Sequence, residues 1–197
     1  MKIMNEQFAN PQGVVGKLAG FLMQAKDKNQ SSWVVSNSRI KPNAKVLEIG
    51  YGPGLGIESA SGFAYEGFTA GIDISNVMLM QASKRNAENI SKGKVKLLQG
   101  NVNEIPFEDN YLDMVFSVNT MHYWEDLQEA LKEIKRVLKP GGEVCISLHP
   151  KWFKIEADSI LLREEIKASV ETSGFKNVKA NQLNLKPVSA FCIYGIK

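Results

Sequence analysis

Between residues 45 and 196 the chain alternates two hydrophobic rhythms: short runs rich in Val, Ile and Phe, and longer stretches in which apolar residues return every three or four positions. The first rhythm predicts strands and the second helices. Lys45-Val46-Leu47-Glu48-Ile49 reads as a first strand. After a glycine loop, a helix is predicted from about Leu55 to Glu66, closed by Gly67, where left-handed backbone is cheap. Phe68 to Ile72 is a second strand. Ser75 then caps a helix that carries Val77, Met78 and Ala82 inward, and Val95 to Gln99 is a third strand. Met114-Val115-Phe116-Ser117-Val118 is nearly unbroken in its apolar character, as a strand buried on both faces would be, so it belongs at the centre of a sheet. From Asp126 to Leu138 one helical face holds Leu127, Ala130, Leu131, Ile134, Val137 and Leu138, until Lys139-Pro140-Gly141-Gly142 stops it. Val144 to Leu148 is a fifth strand. A helix from about Asp158 to Thr172 buries Leu161, Leu162, Ile166 and Val170, with Gly174 just past its end. Extended runs from Val178 to Leu185 and from Ser189 to Ile196 are close enough in sequence to pair antiparallel. Strands alternating with helices imply βαβ units and a mostly parallel sheet, an α/β fold.

Ahead of this pattern, Asn10-Pro11 makes a good N-cap and first helical residue, and Val14, Val15, Leu18, Phe21 and Leu22 form an apolar helical face. Residues 1–40 therefore read as helical cover on a core spanning 45–197, in one domain. The spacing of Gly13, Gly16 and Gly20 fits close helix packing better than membrane contact, since no basic face accompanies it.

Composition narrows the classes. With 44% hydrophobic and 23% charged residues in 197, the chain fills an ordinary core and needs no metal or disulfide staple. Cys145 and Cys192 lie in apolar runs and read as buried free thiols, which suits a reducing compartment. The 24 Lys and Arg exceed the 21 Asp and Glu by only three and are dispersed, so nucleic acid is not expected as a partner. No apolar run reaches the roughly 18 residues of a membrane span, and no signal-peptide pattern opens the chain. A cytoplasmic location is the expectation.

Parallel sheets bind ligands beyond the carboxyl ends of their strands, so the loops there are where chemistry is sought. After the first strand comes Gly50-Tyr51-Gly52-Pro53-Gly54-Leu55-Gly56, which lets backbone pass close to a ligand. The dinucleotide fingerprint G-x-G-x-x-G is not completed: counted from Gly50 its last position is Leu55, and from Gly52 it is Ile57. Glu48 places an acid where a pyrophosphate would be repelled and a cation welcomed. Asp73 stands at the end of the second strand, in position to accept hydrogen bonds from ribose hydroxyls or, more simply, to cap the turn before Ser75.

Taken in order, Val46-Leu47-Glu48-Ile49-Gly50-Tyr51-Gly52-Pro53-Gly54, then Gly71-Ile72-Asp73-Ile74-Ser75 with Met78-Leu79, then Gly100-Asn101-Val102-Asn103-Glu104-Ile105-Pro106-Phe107, and Leu138-Lys139-Pro140-Gly141-Gly142, the chain resembles the class I S-adenosylmethionine-dependent methyltransferases. The likeness is to the small-molecule methyltransferase-domain group often called type 11. This resemblance implies a Rossmann-like three-layer sandwich around a seven-stranded sheet of order 3-2-1-4-5-7-6, the last strand antiparallel. It implies that Gly50, Gly52 and Gly54 lie against the methionine and sugar of S-adenosylmethionine, with Glu48 near its ammonium group. It also implies that Asp73 holds the ribose, that Ile74 and Met78 pack by adenine, and that Asn101 stands where the family usually has an acid. An amide oxygen accepts the same bond from the adenine amino group without charge. Val102 would supply a backbone N–H, and Asn119 would also face the cofactor.

The fourth strand runs into Asn119-Thr120-Met121-His122-Tyr123-Trp124, a segment that in the resembled family lies near the sulfonium. Tyr123 or Trp124 would face a positive sulfur through cation–π attraction, or Trp124 would anchor the following helix. His122 and His149, the two histidines of the chain, follow the fourth and fifth strands and are candidate proton acceptors, with substrate positioning or a solvated rim as the plainer readings. No third residue has metal-ligand spacing with them. Tyr51, Trp152 and Phe153 are candidate walls of an acceptor pocket, and the segment around Phe8, Trp33 and the helix after Pro11 is a candidate lid. The sequence reading is therefore methyl transfer from S-adenosylmethionine to an O, N, C or S atom of a small acceptor by in-line displacement, for which a general base is optional. Two rivals stand beside it: a catalytically silent cofactor-binding or interaction module, and, less favoured, an NAD-dependent oxidoreductase. The acceptor and the oligomeric state leave no mark in the pattern.

Overall fold

The computed structural model describes residues 29–197, so Phe8, Pro11 and the apolar face predicted after it lie outside the described residues. A helical stretch over 29–37 (α1) leads into β1 (Lys45–Ile49), followed by α2 (Leu55–Phe63), β2 (Phe68–Asp73) and α3 (Asn76–Arg85). Then come a short α4 (Ala87–Ser91), β3 (Val95–Gln99), β4 (Leu112–Val118), α5 (Leu127–Val137), β5 (Leu138–Leu148), α6 (Glu156–Thr172), β6 (Lys176–Leu183) and β7 (Ala190–Ile196). The seven strands form one sheet in the order 3-2-1-4-5-7-6. Strands β1 to β5 pair parallel, and β7 runs antiparallel between β5 and β6. This is the three-layer Rossmann-like arrangement that the strand pattern and the resemblance both imply.

Alternation along the central strands sorts side chains to two faces. Leu47, Val115, Val144, Ile146 and Ile193 face α5 and α6, where Leu131, Ile134, Ile166 and Val170 complete a core cluster. Val46, Met114, Phe116, Cys145, Cys192 and Tyr194 face the other way, against Val34 and Val35 of α1 and Ala60 of α2. Both cysteines are buried and free. Trp33, the described part of the candidate lid, packs on this second cluster, and its contact there is structural. Period two also puts Glu48 on the α2 face beside Val46, which is how an acid comes to lie beneath a helix N-terminus.

Local capping explains several boundaries. Ser75 accepts from the Met78 amide at 3.4 Å to open α3, and the Asp126 carboxylate accepts from the Gln128 and Glu129 amides to open α5. Gly174 closes α6 with φ of 80°. Four expectations are corrected. The helix predicted to reach Glu66 ends at Phe63. Gly67 is not left-handed; it is small because a Cβ there would sit 2.1 Å from the Ala44 carbonyl oxygen, where Phe68 N–H binds. The residues after α5 do not stop before the next strand: Leu138 already pairs with Leu112, and Lys139-Pro140-Gly141-Gly142 is absorbed as an irregularity before Glu143 pairs with Met114. Leu161, assigned to the buried stripe of α6, is 64% exposed; Ser159 takes the inward position and donates to the Ser189 carbonyl.

Candidate active site

The loop after β1 is built on three left-handed glycines, Gly50, Gly52 and Gly54, with φ of 69°, 49° and 84°. Each is tied to a different neighbour. A Cβ on Gly50 would lie 2.4 Å from Thr120 Cγ2, and Thr120 Oγ1 donates to the Ile49 carbonyl at 3.1 Å. The Gly52 amide donates to Asp73 Oδ2 at 2.8 Å. Asn86 Nδ2 donates to the Gly54 carbonyl and Arg85 Nε to that of Pro53, so α3 clamps the far side of the loop. Asp73 Oδ1 caps the turn by accepting from Ser75 N–H, and its carboxylate stands at the end of β2 beside the glycines.

Two adjoining cavities open along this loop. The larger, about 170 Å³, is lined by Gly50, Gly52, Ile72, Asp73, Ile74, Met78, Gly100, Asn101, Val102, Asn119, Thr120, Tyr123 and Trp124, among others. The smaller, about 40 Å³, is lined by Ser31, Glu48, Gly50, Tyr51, Gly52, Gly56, Asn119 and Thr120, among others. Neither lining contains a Lys, Arg or His among the described residues. Glu48 is only 3% exposed, and its Oε2 has no hydrogen-bond partner among the described residues. Burial, and then repulsion from Asp73, hold the Glu48 carboxyl well above the usual carboxylate range, only partly opposed by the Ile57 amide at the start of α2. Burial also raises Asp73, against the pull of the Ser75 and Gly52 amides.

Of the predicted cofactor residues, Gly50, Gly52, Asp73, Ile74, Met78, Asn101, Val102 and Asn119 are therefore brought together around one crevice, and Glu48 around its smaller lobe. Gly54 stands behind the loop, packed on Ala82 and Asn86. Asn101 Oδ1 accepts from the Asn103 amide at 2.9 Å, so its side chain closes a local turn. The predicted acceptor residues divide. Tyr123 and Trp124 line the larger cavity, and Trp124 also packs against the core, which joins its two readings. His122, Trp152 and Phe153 form an aromatic rim outside it: the His122 ring lies 4.0 Å from Tyr123 and 5.3 Å from Trp152, and Trp152 lies 5.8 Å from Phe153. Surrounding protein pushes the His122 imidazole down to about 4, so it is neutral at pH 7 although more than a third of the residue meets solvent.

Two placements differ from expectation. Tyr51 lines the smaller cavity and not the larger: its ring is buried against Ile57, Val77 and Met78, its hydroxyl donates to the Leu98 carbonyl, and burial beside two acids pushes the phenol up. His149 lies outside both linings; its Nε2 sits 3.0 Å from the Val188 carbonyl, which only accepts, so that nitrogen carries the proton.

Gln30 and Thr120 escaped the sequence reading. Gln30, 1% exposed in α1, exchanges amide bonds with Asn119 (2.9 and 3.3 Å) and donates to Ser147 Oγ at 2.9 Å. Asn119 has φ of 57° and its Oδ1 also accepts from the His149 amide, so Gln30 braces the tips of β4 and β5. A Gln within Asn29-Gln30-Ser31-Ser32 carries no local signal of burial.

A family model described as a methyltransferase domain matches residues 47–146, which runs from within β1 into β5 and takes in the cavity-lining residues named above except Ser31. Among curated relatives, the uncharacterized methyltransferase YdaC of Bacillus subtilis is 29% identical over 89% of this chain and 95% of its own length. The protein named putative methyltransferase YrhH, of the same organism, is 34% identical over 83% of this chain and 84% of its own. Among solved structures, phosphoethanolamine N-methyltransferase 2 of Haemonchus contortus, in complex with phosphomonomethylethanolamine and S-adenosylhomocysteine, superposes with a TM-score of 0.74 at 18% identity, covering 92% of this chain and 57% of that one. The sheet order, the glycine loop with its two acids and the family match meet in one conclusion: the chain belongs to the methyltransferase-domain family, and is a class I S-adenosylmethionine-dependent methyltransferase.

Proposed function

We propose that the two adjoining cavities hold S-adenosylmethionine, adenosine in the larger and methionine in the smaller, and that a small acceptor receives the methyl group at the aromatic rim. The observation that carries this is the charge of the site. Two buried carboxyl groups flank one glycine loop, and among the described residues Glu48 Oε2 has no partner and neither lining offers a cation. A buried acceptor without a donor is costly, and a ligand ammonium group would satisfy it. A diphosphate would find no Lys, Arg or His among the described lining residues to balance its charge.

The cofactor, when bound, supplies a methyl group activated by a positive sulfur. The chain supplies placement. Asp73 accepts from the ribose hydroxyls while Ser75 and Gly52 fix its orientation; Ile74 and Met78 give adenine an apolar wall; Glu48 accepts from the ammonium group. Tyr123 and Trp124 at the mouth offer ring faces toward positive charge, worth roughly 0.5–2 kcal/mol each depending on desolvation. Rate enhancement then comes mainly from holding acceptor and donor in line and excluding water. His122, neutral but held at about 4, is a weak base and is better suited to positioning an acceptor at the rim than to taking its proton, whereas His149, with Nε2 committed to Val188, acts in holding the β5 tip.

Calorimetry with S-adenosylhomocysteine, S-adenosylmethionine and NAD tests this reading. Heat should evolve on adding the sulfur ligands and be lost in Asp73→Ala; binding of NAD alone would overturn the assignment. Incubating the chain with methyl-labelled cofactor and a metabolite extract then identifies the acceptor class.

A further inference from the structure

We propose that Ser31 is a specificity-determining residue of the smaller cavity: its hydroxyl donates to the carboxylate at the amino-acid end of the bound nucleoside, so that the site selects ligands carrying the complete methionine tail. This deepens the cofactor reading given above and rests on it. Ser31 lies in α1, outside the segment 47–146 that the family model matches. It is 5% exposed and lines the smaller cavity together with Glu48. Val34 and Val35, three and four positions on and so on the same helical face, are fully buried against the sheet, which turns Ser31 inward. A polar side chain buried to this degree normally holds a partner. Among the described residues no hydrogen bond engages the Ser31 hydroxyl.

The donors around the cavity decide which ligand atom Ser31 meets. The amino-acid end of S-adenosylmethionine carries an ammonium group and a carboxylate, and Glu48 Oε2 is the unpartnered acceptor that suits the first. The carboxylate needs donors, and neither lining supplies a Lys, Arg or His among the described residues. The other side-chain donors of the smaller lining are already engaged. Tyr51 donates to the Leu98 carbonyl at 3.3 Å, Thr120 Oγ1 to the Ile49 carbonyl at 3.1 Å, and Asn119 Nδ2 to Gln30 Oε1 at 2.9 Å. The loop amides of Gly50, Gly52 and Gly54 donate to the Ile72 carbonyl, to Asp73 and to the Tyr51 carbonyl. Among the described residues Ser31 is thus the side-chain donor of this lining with its proton uncommitted, and a hydrogen bond to a charged acceptor is stronger than one to a neutral group. Gln30, its neighbour in sequence, ties the same turn of α1 to Asn119 and Ser147, so Ser31 stands at the cavity wall on a braced helix.

The test is calorimetry of the full chain, wild type and Ser31→Ala, with four nucleosides. Two are S-adenosylhomocysteine and S-adenosylmethionine. The third is decarboxylated S-adenosylmethionine, which keeps the ammonium group, and the fourth is 5′-methylthioadenosine, which has neither charged group of the tail. Ser31→Ala should bind the two carboxylate-bearing ligands about tenfold more weakly and the other two as the wild type does. Retained affinity for 5′-methylthioadenosine shows that the variant is folded. Equal weakening of all four ligands would make Ser31 a packing residue of α1, and undiminished affinity for all four would leave the carboxylate to other donors; either result overturns the proposal. Weakening that extends to the decarboxylated ligand but spares 5′-methylthioadenosine would assign Ser31 to the ammonium group and also overturn it. A wild type that binds none of the four would bring down the cofactor reading and this proposal with it, an outcome distinct from the others because it appears before any substitution is made.

Discussion

Gly50 and Gly52 are neighbours in one loop with opposite reasons for being glycine. A Cβ on Gly50 collides with Thr120, whereas one on Gly52 meets nothing within 4 Å and points only at strained backbone. Gly52→Ala should therefore cost about 1 kcal/mol in thermal or denaturant unfolding, yet weaken S-adenosylhomocysteine binding by calorimetry, while Gly50→Ala should lose several-fold more stability. Glu48 gives a second contrast. Its raised pKa means that the folded chain holds a proton the unfolded chain releases, so this group costs stability as pH climbs above the ordinary Glu range. Glu48→Gln should stabilise the ligand-free protein near neutral pH and weaken binding of the ammonium-bearing ligand. In the wild type, binding should release a proton, read as a dependence of binding enthalpy on buffer ionisation. Individual residues were legible in proportion to how local their role is. Ser75 and Asp73 announced their turn by spacing, whereas Tyr51, in a glycine loop that faces ligand, folds its ring under the sheet because a hydrophobic pocket of Ile57, Val77 and Met78 is there to receive it.

β1 and β3 have the predicted bounds, whereas β4 begins at Leu112 and β5 at Leu138, earlier than predicted, and β6 runs Lys176–Leu183 rather than Val178 to Leu185, because these ends carry polar, half-exposed residues that break the apolar run. Helix ends were less readable, since the end of α2 depends on the close pass of Gly67 by Ala44, a contact between residues with no local signature. Asp126 illustrates the readable kind of boundary, and Asp126→Ala should cost about 0.5–2 kcal/mol in urea unfolding, with no effect on ligand affinity. The seam between α1 and the β4 and β5 tips illustrates the unreadable kind, because a buried Gln30 in a polar stretch is made by tertiary packing alone. Gln30→Ala strands the Asn119 amide and Ser147 hydroxyl in a buried setting, which should cost about 1–3 kcal/mol and raise hydrogen exchange in α1 before that in β4.

Across the molecule, His122 predicts a pH response. Its folded pKa of about 4 lies below the ordinary 6.5, so on acidification the unfolded chain takes up a proton that the folded chain refuses. Stability should fall as pH drops from about 6.5 toward 4, and His122→Asn should flatten that part of a melting-temperature profile. The fold as a whole was legible, from the alternation of strand and helix and from the four ordered motifs; the division of the crevice into two lobes was not, because it arises where β1, β2 and β4 converge. That convergence has a kinetic corollary. The three left-handed glycines are each pinned by a different partner, Thr120 after β4, Asp73 on β2 and Asn86 after α3, so the loop reaches its final shape only when β1, β2, α3 and the tip of β4 have come together. During refolding, recapture of a fluorescent nucleoside should trail the return of helical circular dichroism, making ligand occupancy a clock for the last docking event.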